Sequence, residues 1–158
     1  MRKEEAVRAE SARYPFGDDV EWVAVDRYGR VGIFTTGGVG PIPRAYLRAP
    51  ELLQQLSEAL WQLPERTEAS LLTKVLRPDD FVAFARRGLF AFDWADVHRV
   101  TGRSGRYEIQ ARPLVPLSAA TVVWPELIAA LVEATRNGDL DFDQRLLDVA
   151  VLDCELGS

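Results

Sequence analysis

The chain has 158 residues, 47% of them hydrophobic and 27% charged, and a formal net charge of −5 at pH 7. That length suits one domain, which buries about 68–70% of the unfolded chain's surface, and the apolar fraction excludes an intrinsically disordered chain. No run approaches the roughly 18 apolar residues of a membrane span. The start, Met1 to Ala6, carries charge but no apolar stretch of a secretory signal, and a lone cysteine, Cys154, excludes an internal disulfide framework. The expectation is a cytoplasmic single-domain protein that acts away from membranes.

In chain order, residues 1–13 alternate charge and alanine and read as a frayed helix or an arm. A turn-rich stretch, 14–19, precedes two β-branched, aromatic-rich strands, Val20–Val25 and Val31–Thr36. Asp26 to Arg30 joins them as a hairpin, with Gly29 where a type I turn plus bulge calls for a positive φ. Three helices share one starting signal, a proline at the first helical position followed by carboxylates: Pro50-Glu51, Pro78-Asp79-Asp80 and Pro125-Glu126. The first presents Leu52, Leu53, Leu56, Leu60 and Leu63 on one face and stops before Pro64. The second presents Phe81, Phe84 and Ala85 and ends at Gly88. The third presents Leu127, Ile128, Leu131 and Val132 and ends at Asn137-Gly138.

Between the second and third helices, Leu89–Phe92 and Arg106–Arg112 read as strands. The latter alternates Glu108 and Gln110 with Tyr107, Ile109 and Ala111, which predicts one wet face. Leu114–Leu117 suits a short edge piece, and residues 146–152 fit helix or strand equally. The order ββ-αα-ββ-α predicts a single α+β domain, with a mostly antiparallel sheet of four to five strands and helices packed on one face.

The charge is uneven. From Glu126 onward eight carboxylates stand against two arginines, so the first 125 residues carry one net positive charge and the acidity belongs to the C-terminal fifth. The body's arginines are scattered, and the net charge would repel phosphate, so no nucleic-acid partner is expected.

Several segments invite a chemical reading. Gly37, Gly38 and Gly40, in the stretch from Gly37 to Pro43 after a strand, resemble an anion-cradling loop. However, no Gly-Lys-Ser/Thr follows, and two prolines remove N–H donors. Asp93, Asp96 and His98 place two carboxylates beside the chain's single histidine, without an HExxH, HxH or GxSxG pattern, so turn and cap roles come first. Asp139, Asp141 and Asp143 open like a calcium loop, but Gln144 and Ala150 occupy the positions that need glycine and glutamate. The glycine-rich turn over 101–106 reads as an exposed connection, the four tryptophans as core, and Cys154 as an inert thiol. No cofactor or metal is expected.

The strand Val20–Asp26, the turn with Gly29, the run Gly32–Pro43 and the later Phe92–Arg99 together resemble small bacterial proteins of the SUKH-like and related immunity type. The likeness spans residues 20–45 and 89–113. It implies a protein that neutralises a toxin by binding it, and it carries over no catalytic residue.

Two functions follow as expectations. One is a non-catalytic protein-binding domain, of immunity type, that meets a basic protein partner through Asp139, Asp141, Asp143 and Asp148; the sequence leaves homo-oligomerisation open. The other is a small ligand-binding or hydrolytic domain, with Gly37, Gly38 and Gly40 beside Asp93, Asp96 and His98.

Overall fold

The structure, a computed structural model, describes residues 14, 15, 17–73, 78–94 and 106–155. The N-terminal segment 1–13, Asp96, His98 and the turn over 101–105 lie outside the described residues. The elements are β1 (Glu21–Val25), β2 (Val31–Thr35), β3 (Ile42–Pro43), α1 (Arg44–Leu47), α2 (Pro50–Gln62), β4 (Ala69–Leu71) and α3 (Asp79–Arg86). They continue with β5 (Phe90–Trp94), β6 (Tyr107–Pro113), α4 (Glu126–Ala134), β7 (Leu146–Leu147) and β8 (Cys154–Glu155). The class is α+β. The main sheet runs β1-β2-β5-β6-β4, with β7 also on β6, and β3 pairs separately with β8.

Every pairing is antiparallel except β2 with β5. That one parallel contact follows from connectivity. Residues 36–89 place α1, α2 and α3 between the two strands, and a parallel neighbour requires such a long crossover. It also brings the C-terminal ends of β2 and β5, Thr35 and Asp93, side by side.

Directly opposed residues share a face of a sheet. One face therefore carries Val23, Val25, Ile33 and Ala91, and the other carries Trp22, Gly32, Phe34, Phe90, Phe92 and Ile109. Helices cover the first. Ser57 of α2 donates to Glu21, a neighbour of Val23 on that face, α3 packs on β4, β5 and β6, and Trp61 of α2 meets Phe84 of α3 at 4.4 Å. The second face is covered by the C-terminal segment. Phe142 lies 5.9 Å from Phe34, 5.7 Å from Phe90 and 5.5 Å from Phe92, ring centre to ring centre. Gly32 makes room for it, because a Cβ there would stand 2.8 Å from the Phe142 ring. Leu140, Leu147 and Val149 are buried with it. Residues 140–149 of the acidic fifth thus form a layer whose apolar side faces into the fold.

The structure amends several sequence expectations. Pro50 begins its helix, but Pro78 and Pro125 each stand one residue before theirs, at the cap. Leu127 is 63% exposed, leaving Ile128, Leu131 and Val132 as the inward face of α4. Trp61 is 37% exposed, with the guanidinium of Arg87 5.1 Å above its ring, so it lies at the rim of the core. Gln110 is buried, contrary to the wet face expected of β6. A register shift opposite Ala91 and Phe92 inserts it as a bulge, so Ile109 and Ala111 turn to opposite faces. Its side chain accepts a hydrogen bond from Thr73 and donates to the carbonyl of Glu108 at 3.1 Å. Leu114–Leu117 forms no strand; the edge beside the end of β6 belongs to β4. Residues 146–152 divide into the two-residue strand β7 and a 3₁₀ turn over Ala150–Leu152.

Candidate functional site

The glycine loop is built around Thr36, which is fully buried. Its Oγ1 accepts from Val20 N at 3.0 Å and from Gly38 N at 3.2 Å, while its carbonyl accepts from Val39 N at 3.3 Å and Gly40 N at 2.9 Å. Gly37 N donates to Asp19 Oδ1 at 2.9 Å. All four amides that would cradle an anion, 37 to 40, are therefore engaged within the chain, and Pro41 and Pro43 have none to offer. Gly40 is required for close packing. A Cβ there would meet the Tyr107 hydroxyl at 2.7 Å and both the Thr36 carbonyl and Trp94 Cβ at 3.0 Å.

Beneath the loop lies a buried polar chain. Trp22 Nε1 donates to the Tyr107 hydroxyl at 3.3 Å, which itself donates to the Pro41 carbonyl at 2.8 Å; the Tyr14 hydroxyl donates to the Gly40 carbonyl at 2.5 Å. Burial pushes the Tyr14 phenol up to about 12 and raises Tyr107 well above the ordinary tyrosine value, so both stay protonated donors. Asp93 stands opposite Thr35 at the end of the sheet where β2 runs into the loop, while Asp96 and His98 of the second expectation lie outside the described residues. There Glu21, Thr35, Asp93 and Glu108 form a row across β1, β2, β5 and β6. Burial, then the charges of Asp19 and Asp80, raise the Glu21 carboxyl above its ordinary value against the opposing bond from Ser57. Among the described residues no cluster of His, Cys, Asp or Glu could hold a metal ion.

Among the described residues, carboxylates of the acidic segment form ion pairs with three arginines of the body. At the hairpin, Arg30 Nη2 lies 2.7 Å from Asp26 and 3.3 Å from Asp141, and its Nη1 lies 3.0 Å from Asp143. The Arg30 guanidinium also sits 4.8 Å from the ring centres of both Tyr28 and Phe90. Burial works against its charge, but the bonds to Asp26 and Asp143 outweigh burial and hold it above its ordinary value. The Asp26 side chain is wholly buried and accepts five N–H groups, from Tyr28 N, Arg30 N, Arg30 Nε, Arg30 Nη2 and Phe142 N. At the opposite end, Arg106 pairs with Asp148 at 3.3 Å, and Arg44 pairs with Asp153 at 2.5 Å and Glu155 at 3.8 Å.

Of the four nominated acids, Asp141 and Asp143 thus hold the hairpin and Asp148 holds the start of β6; Asp139 faces outward with its amide bonded to Asn137 Oδ1 at 2.8 Å. Arg30, Arg44 and Arg106 are the residues that sequence reasoning passed over, because scattered arginines carry no motif and acquire a role only through contacts across the fold. The glycine loop and the acidic segment also meet. Pro41 closes one wall of a cavity of about 380 Å³ whose other walls are Arg106, Asp148, Val149, Ala150, Asp153 and Cys154. The Cys154 thiol donates to the Val149 carbonyl at 3.4 Å, and burial, reinforced by Asp153, pushes it up to about 12, which leaves it without nucleophilic character near neutrality.

Comparison of the chain with protein-family models, with curated proteins and with solved structures finds no match to any of them. Among the described residues no helix is long and apolar enough to cross a membrane.

Proposed function

We propose that this protein is a non-catalytic binding domain, of the immunity type, that engages a basic protein partner through its C-terminal acidic layer. The observation carrying the reading is the way that layer is held. Leu140, Phe142, Leu147 and Val149 face inward, while Asp139, Asp143, Asp148 and Asp153 are exposed on a segment held by ion pairs to Arg30, Arg44 and Arg106. Carboxylates already ordered lose little conformational freedom on association, and a localised negative surface accelerates encounter with a basic surface. The engaged loop amides and the protonated Cys154 thiol favour binding over chemistry.

The test is purification of the tagged chain from its own host at low salt, beside a variant with Asp139, Asp141, Asp143 and Asp148 all changed to Asn. The reading expects one stoichiometric protein with a basic isoelectric point. Its association rate should fall about tenfold or more in the variant and with rising salt. Recovery of the same protein at an unchanged rate, with the variant folded, refutes the assignment to this surface.

A further inference from the structure

We infer that β4 is a docking edge for a second copy of this chain, the two β4 strands pairing antiparallel about a two-fold axis at Leu71. The backbone shows which groups are left over. Ser70 pairs with Arg112 between two backbone bonds to β6, from Leu114 N to the Glu68 carbonyl and from Leu72 N to the Gln110 carbonyl, each 2.8 Å. Residues 68, 70 and 72 therefore point at β6, and the N–H and C=O groups of Ala69 and Leu71 point away from it. Among the described residues β4 ends the sheet, and nothing bonds these outward groups.

The opposite edge of the sheet is sealed. On β1 the Val23 carbonyl accepts from the Tyr46 hydroxyl at 2.9 Å and the Thr135 hydroxyl at 2.8 Å. Val25 N donates to the Thr135 carbonyl at 3.3 Å, and the Val25 carbonyl accepts from Asn137 N at 3.0 Å. The chain thus covers one edge itself and leaves β4 open, with none of the prolines or lysines that guard an edge strand in residues 69–73. The open edge is also apolar. Leu71 is 44% and Leu72 40% exposed, and Leu114 and Val115 lie exposed beside Glu68 and Thr67.

The occupant follows from the edge's own chemistry. Outward N–H and C=O groups on alternate residues fit an extended strand, and residues 69–73 carry no charge that would select a basic partner. A second copy fits them in one register. With Leu71 opposite its counterpart in the copy, Ala69 faces Thr73, Ser70 faces Leu72, and Glu68 stands level with position 74, a lysine in the sequence. Leucine then covers leucine, and opposite charges bracket the pair. Centring the pair on Ser70 would instead set Glu68 against Leu72. The two-fold pair consumes the open edge of both copies, so association stops at two.

The experiment follows the full chain by sedimentation equilibrium from about 1 µM to 1 mM. The original chain should pass from monomer to a species of twice its mass. Over the same range the outward Leu71 amide should exchange its hydrogen about tenfold or more slowly. Leu71→Lys and Leu71→Glu each set like charges face to face at the two-fold axis and should weaken self-association about tenfold or more. Mixed in equal amounts, the two variants should pair with one another, because opposite charges then meet; that recovery also shows both to be folded. A chain that stays monomeric to about 1 mM overturns the proposal, as does a dimer that persists unchanged in both variants. A mixture of folded variants no more associated than its parts overturns it too. Leu71 exchange that slows only when a different, captured protein is bound assigns the edge to that protein and overturns self-pairing.

Discussion

Replacing Asp26 by Asn tests whether the acidic layer is held by its buried electrostatic contact or only by apolar packing. Asp26 Oδ1 accepts from the backbone amides of Tyr28 and Arg30, both at 3.0 Å, and an asparagine oxygen keeps those bonds. Oδ2 accepts from Arg30 Nε at 3.0 Å, Arg30 Nη2 at 2.7 Å and Phe142 N at 3.1 Å. The asparagine NH₂ would turn two further hydrogens toward those three donors. Removing one partner from a buried ion pair costs about 3–5 kcal/mol. Arg30 retains Asp141 and Asp143, and its side chain is 17% exposed, so a figure of about 2–4 kcal/mol is appropriate. With a urea slope of about 1–3 kcal/mol/M, the unfolding midpoint should fall by about 1–2 M. Native-state hydrogen exchange should also show the Phe142 amide opening well before the amides of β2 and β5, because its bond to Asp26 is one of those lost. A midpoint shift below about 0.3 M, with Phe142 as protected as before, would refute the reasoning. The exposed Asp139→Asn change is the control and should move stability by less than about 0.5 kcal/mol.

Gly40→Ala should cost about 1–3 kcal/mol by overpacking against Tyr107, Thr36 and Trp94, read as a lower midpoint in urea; wild-type stability would show that the loop is not packed as described. Glu21 has a raised carboxyl in the folded state, so the unfolded chain ionises first, and its contribution to stability declines as pH rises through the carboxylate range. Glu21→Gln should therefore stabilise the protein near neutrality and leave it unchanged at pH values where Glu21 is already protonated; a loss at neutral pH, in melts across pH 3 to 7, contradicts this. The Cys154 thiol, moved from an ordinary 9.0 to about 12, should react with iodoacetamide at pH 8 about a thousandfold more slowly than an exposed cysteine, and at the ordinary rate once the chain is unfolded in urea. Equal rates in the folded and unfolded chain would count against its burial.

Local signals read well from the sequence because their causes are local. The hairpin over β1 and β2 follows from two β-branched runs and Gly29, whose φ of +77° supplies the turn. The helices α2, α3 and α4 follow from apolar spacing and their proline-acid starts. Gly88, with φ +95°, ends α3 as its position suggests. The bulge at Gln110 was not legible, since one inserted residue leaves the period-two pattern intact on either side and reveals itself only through pairing with Ala91 and Phe92. Nor were β3, β4, β7 and β8, two or three residues each, because strands so short owe their geometry to a partner distant in sequence.

The candidate site divides in the same way. Composition alone located the negative charge in the last fifth of the chain and the glycines after β2, since charge and residue type belong to the sequence. Their surroundings belong to the fold. Asp141 and Asp143 close on Arg30, Asp148 on Arg106 and Asp153 on Arg44 because the C-terminal segment buries Phe142 over Gly32 and carries its carboxylates across the sheet to arginines far away in the chain. The segment's acidity was therefore fixed by the sequence. Its place as a fastened layer, with a cavity where it meets the glycine loop, was decided by tertiary contacts, the burial of Leu140, Phe142, Leu147 and Val149 together with the ion pairs to distant arginines.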